Sequence, residues 1–68
     1  MAEVRALREA RGWSQSELAR RAGLHSTTVS LIESGRQKPY AVQVEKLAAA
    51  LGVEPAALLE DVNDDARR

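Results

Sequence analysis

The chain has 68 residues, no cysteine and a formal net charge of zero, which allows one small core and excludes a disulfide framework or a cysteine-based zinc site. No apolar run reaches the roughly 18 residues of a membrane span, and the opening segment MAEVRALREA is charged throughout, unlike a signal peptide, so a cytoplasmic location is expected. Trp13 and Tyr40 are the whole aromatic complement, too few for stacking single-stranded nucleic acid.

Helical periodicity runs through every long segment, and strand-like alternation is absent, so the expected fold class is all-α with five helices. A first helix over residues 2–11 places Val4, Leu7 and Ala10 on one face and ends at Gly12. Ser14 then reads as an N-cap, with Glu17 completing a capping box and Trp13 stapling onto Leu18. Leu18, Ala19 and Ala22 form the buried face of this second helix, which Gly23 ends. His25 stands at the cap of the third helix, where Leu24 and Val29 offer a second staple. Val29 and Ile32 face inward, and Gly35 closes the helix. After a polar RQKP loop, Pro39 leads into a fourth helix over 40–51 with Val44, Leu47, Ala48 and Leu51 inward, stopped by Gly52. Glu54-Pro55 starts a short fifth helix, with Leu58 and Leu59 apolar and Val62 beyond. The expected organisation is one domain over 1–62 and a short polar tail over 63–68.

Two helices joined by a tight glycine turn form a helix-turn-helix. Ala19 is small where the helices must approach, Gly23 suits a turn with positive φ, and Leu24, Val29 and Ile32 anchor the third helix from beneath. Ser26, Thr27, Ser30 and Leu31 are left on the outer side. Charge is polarised along the chain. Residues 1–38 hold seven basic and four acidic residues, residues 39–68 three basic and six acidic. One histidine, no cysteine, no metal-ligand cluster and no glycine-rich phosphate loop disfavour an enzyme, a metal or a cofactor.

The segments LREARGWSQSELARRAGL, VSLIESGRQKP and KLAAALGVEPAALL resemble the Cro/phage-repressor type, or xenobiotic-response-element, helix-turn-helix family over about residues 4–60. The resemblance implies a compact five-helix, lambda-repressor-like DNA-binding domain whose third helix enters the major groove of double-stranded DNA. Its implied role is a sequence-specific transcriptional regulator, acting as a dimeric repressor. Ser26 and Thr27 match the main base-reading positions, and their hydroxyls also suit backbone amides at a helix start. Ser30 and Leu31 match outer positions one turn on. Leu31 suits a thymine methyl group or is a stray surface residue.

Gln15, Thr28, Ser34, Arg36, Gln37 and Lys38 match phosphate-contacting positions, Gln15 through the start of the second helix and the rest through the turn and the loop. Arg8 and Glu33 match an internal ion pair, and Trp13 is read as structural. Two departures stand out. His25 replaces the usual small cap; its place near the groove suggests a phosphate or base contact, more favourable when protonated, with a solvent-exposed ring as the alternative. Tyr40 replaces a small cap at the fourth helix, where it either packs over the loop, the favoured reading, or reaches a phosphate.

Val53, Ala57, Leu58 and Val62 are the candidate homodimer contacts. A two-fold pair would set the recognition helices about 34 Å apart, one turn of DNA. The alternative is a helix-turn-helix used for protein contact, as in an antitoxin or adaptor. The polar outer face of the third helix, poor in aromatic anchors, weighs against it.

Overall fold

A computed structural model describes residues 1–59. It contains α1 (Ala2–Ala10), α2 (Gln15–Ala22), α3 (Ser26–Ser34), α4 (Ala41–Leu51) and α5 (Pro55–Leu59), with no strand among the described residues. The all-α, five-helix expectation holds. Val62 and the 63–68 tail lie outside the described residues.

The helices begin and end where local chemistry directs. At the start of α2 the Ser14 hydroxyl accepts the Glu17 N–H at 3.0 Å, satisfying one of the helix's orphan donors. The reciprocal half of the expected capping box does not form. The Glu17 carboxylate turns instead to Arg21 (2.6 Å) and Arg20 (2.5 Å), because two guanidiniums at helical spacing outcompete one backbone amide. Gly23 has φ +72°, a conformation costly for any residue with a Cβ. It lets the Leu24 N–H reach back to the Ala19 carbonyl at 2.8 Å, closing α2 in a Schellman turn and aiming the chain into α3. Tyr40 caps α4 in a different way: its N–H donates to Gln43 Oε1 at 2.9 Å, while its own side chain makes no cap bond.

The core comprises Met1, Val4, Leu18, Ala19, Ala22, Val29, Ile32, Val44, Leu47, Ala48, Leu51 and Leu58. Leu7, Trp13, Leu24, Val53 and Leu59 pack against it, partly buried. α2 rests on α3 and α4, and α5 closes the end of α4. Three expectations need correction. Ala10 is exposed, because the inward edge of α1 runs through Val4 and Arg8 rather than through Val4 and Ala10. Leu58 is fully enclosed within the single chain, so its side chain is not available to a dimer partner. Tyr40 is 71% exposed and does not pack over the loop.

The buried charge on α1 is paired. Arg8 Nε and Nη2 donate to Glu33 Oε2 and Oε1 at 2.7 and 3.1 Å, and Nη1 donates to the Trp13 carbonyl at 2.7 Å. The Glu33 side chain is only 3% exposed. The hydrogen bond to Glu33 outweighs burial and raises the guanidinium above its ordinary value, so Arg8 stays charged at every working pH. The pair ties α1 to α3 and, through Trp13, to the approach of α2.

Two outcomes follow for stability. Arg8→Ala should cost about 3–5 kcal/mol in urea unfolding, since it strands a buried carboxylate. A double substitution that removes both charges should cost less than the sum of the two single ones. At Glu17, the hydrogen bond from Arg21, followed by Arg20, lowers the carboxyl pKa. A depressed folded-state pKa gives stability that is present above the ordinary glutamate range and lost as pH falls through the folded value. Glu17→Gln should therefore be less stable than wild type near neutrality, with the difference in denaturation midpoint closing below about pH 4.

Candidate nucleic-acid interface

Val29 and Ile32 are completely buried and seat α3 on α2, which fixes the helix's rotation. Ser26 and Thr27 are then exposed at its first turn, and Thr28, Ser30 and Leu31 are half-buried. The predicted base-reading set is thus graded. Ser26 and Thr27 project freely, whereas Ser30 and Leu31 offer only part of their surface. His25 is exposed at the N-cap and makes no side-chain cap bond, so its imidazole is uncommitted among the described residues.

The segment after α3 is fastened rather than loose. The Leu31 carbonyl accepts the N–H groups of Arg36 (3.0 Å) and Gln37 (3.2 Å) and the Ser34 hydroxyl (3.1 Å). Ser34 thereby spends its donor on its own helix and keeps only acceptor capacity, a poor match to the expected phosphate contact. Arg36 and Lys38 are exposed and Gln37 is half-buried. The two cations stand just past the C-terminus of α3, where the helix dipole also favours positive charge.

The distribution of partners among the basic residues is informative. Arg5 pairs with Glu9 at 3.1 Å, Arg8 with Glu33, and Arg20 and Arg21 with Glu17. Arg11 donates to the Leu7 carbonyl at 3.0 Å and to the Leu51 carbonyl at the end of α4. Arg21 also lies over the Trp13 ring at 4.3 Å from its centroid, and Arg11 at 5.8 Å. Among the described residues, Arg36, Lys38 and Lys46 have no such partner, and Lys46 lies on α4.

Gln15 is placed differently from expectation. Its Nε2 donates to Glu33 Oε1 at 3.0 Å, so part of the side chain intended for a phosphate is held inside. One amide hydrogen and the unpaired backbone N–H of this helix start remain. Sequence reading missed this link, although Glu33 next to the core position Ile32 was the signal that its carboxylate sits low on α3. It also missed Arg11 as the cap of α4, for which no local signal exists across 40 residues. No group of histidine, cysteine, aspartate and glutamate among the described residues is arranged to hold a metal ion, and no helix there is long and apolar enough to cross a membrane.

Comparison with known proteins bears on this geometry. A family model described as a helix-turn-helix domain matches residues 2–62. A hypothetical transcription factor of Neisseria meningitidis is 48% identical over 56 residues, covering 82% of this chain and 53% of the relative. A control protein of Bacillus amyloliquefaciens is 43% identical over 47 residues, covering 69% of this chain and 58% of the relative. The chain thus spans little more than half the length of these curated relatives. Among solved structures, the restriction-modification controller protein of Aeromonas hydrophila is 40% identical with a TM-score of 0.81, covering 84% of this chain and 86% of that one.

Proposed function

Because the chain belongs to the helix-turn-helix domain family, we propose that it is a non-enzymatic, cytoplasmic transcriptional regulator that binds double-stranded DNA as a homodimer and represses transcription. In this reading α3 lies in the major groove, with Ser26 and Thr27 on base edges and Ser30 and Leu31 adding a shallower second row. Arg36, Gln37 and Lys38 hold one phosphate strand, with His25 and Thr28 flanking it, and Gln15 meets the other side of the groove through its remaining amide hydrogen and helix-start N–H.

The observation that carries the proposal is the partition of cations. Among the described residues, five arginines are held by partners within the chain, while Arg36 and Lys38, next to the exposed polar face of α3, are not. Free cations fastened beside a polar helix are what a phosphate backbone needs. Val53 and Ala57, both half-buried, remain as dimer candidates, with Val62 added from outside the described residues. The controller protein of Aeromonas hydrophila is matched over most of its own length, which favours control of a restriction-modification system as the regulated process.

Selection from a random duplex library should return a near-palindrome with half-sites about one helical turn apart. On that duplex, Arg36→Ala or Lys38→Ala should lower the slope of log K against log salt by about one each. Arg20→Ala, which removes a cation already held by Glu17, should leave the slope unchanged. Selection with no motif would sink the proposal and turn attention to a protein partner, for which exposed Tyr40 and Val42 are the first candidates.

A further inference from the structure

Glu33 carries more donors than an ion pair alone requires. Its carboxylate takes Arg8 Nε on Oε2, Arg8 Nη2 on Oε1, and on the same Oε1 the Gln15 amide nitrogen at 3.0 Å. An ionised carboxylate accepts and cannot donate. It therefore dictates which end of the Gln15 amide turns inward: the nitrogen, never the carbonyl oxygen. That nitrogen has a second hydrogen with no partner among the described residues, on a half-buried side chain at the first residue of α2. The carboxylate cannot drift, because Arg8 is itself pinned by the Trp13 carbonyl.

We propose that Glu33 is a positioning residue for DNA binding: the buried Arg8–Glu33 pair locks the Gln15 amide so that its free N–H is presented to a backbone phosphate. This rests on the DNA reading above and adds how one contact of that site is held ready. A glutamine free on a helix surface loses its rotamer freedom when it binds. Here that freedom is lost on folding, so the contact forms on binding without it. The pair thus couples the helix 1–helix 3 joint to the edge of the interface.

The test compares four proteins on the selected duplex at fixed salt: wild type, Gln15→Ala, the paired variant Arg8→Met with Glu33→Leu, and the combination of all three. The paired variant removes both charges together, so none is left stranded. Affinity and the order parameter of the Gln15 side-chain amide in the free protein are both read. The paired variant should bind about three- to tenfold more weakly. Gln15→Ala should cost a similar factor in wild type and almost nothing further in the paired background. The amide should be rigid in free wild type and mobile in the paired variant, a change that loss of fold stability alone does not produce in a folded protein.

An equal cost of Gln15→Ala in both backgrounds, or equal amide mobility in both, overturns the proposal. If the paired variant does not fold, Glu33→Gln serves, since it keeps the shape but removes the charge and offers the Gln15 amide an NH2 group as well as a carbonyl oxygen. It must weaken binding and shift the Gln15 amide resonance, and no change in either overturns the proposal. Wild type that binds no duplex overturns the DNA reading and the phosphate role together. Wild type that binds while Gln15→Ala is silent overturns this inference alone.

Discussion

The Arg8–Glu33 pair is the joint on which the arrangement depends. A core of this size is built from small and medium side chains, with no phenylalanine in the chain and a twelve-member apolar cluster. Apolar contact is non-directional, so such a core tolerates helices that slide or rotate against one another. A bidentate arginine–carboxylate pair is directional. With Nη1 on the Trp13 carbonyl and Oε1 on Gln15, it sets α1, α3 and the start of α2 in a single register. Its net worth against an apolar replacement is small; its effect is to remove alternatives.

That register matters because α3 has little of its own to keep it in place. The helix is short, its first turn holds Ser26, Thr27 and Thr28, all modest helix formers, and its cap residue His25 makes no side-chain bond. What orients it lies beneath and behind it. Val29 and Ile32 are enclosed, the Gly23 turn fixes its approach, and the carboxylate of Glu33 is tied to α1. The outer face is thereby released from any structural duty. A weakly self-stabilised helix held by its scaffold can vary its exposed residues at little cost to the fold, which is the property a reading surface needs.

The sequence was most legible where chemistry is local. Ser14, Gly23, Gly35 and Gly52 marked helix ends within a residue or two because capping and positive φ act over a single turn, and the apolar spacing located the buried residues of α2, α3 and α4. Legibility failed where a side chain chose between partners. Glu17 left its capping box for Arg20 and Arg21. Gln15 turned inward to Glu33. Ala10 lost the inner edge of α1 to Arg8, whose pairing with Glu33 the family resemblance implied but the apolar spacing did not show. Leu58 and Leu59 illustrate the same limit: adjacent leucines cannot both point inward, and only packing decides that Leu58 is enclosed while Leu59 lies at the margin.

A chain of zero net charge is a poor candidate for phosphate on electrostatic totals, and the resolution lies in which charges are spoken for. Glu17 is shared by two guanidiniums on α2, Glu9 takes Arg5, and Glu33 takes Arg8. Three of the four acids of the first half are thus spent on arginines. Of the cations without a partner among the described residues, Arg36 and Lys38 stand just past α3, on a segment whose Arg36 and Gln37 N–H groups the Leu31 carbonyl holds, and Lys46 lies on α4. Within a Debye length of about 8–10 Å, a phosphate at that surface meets the local surplus rather than the total. Pairing, and not composition, therefore sets the field at the face of α3.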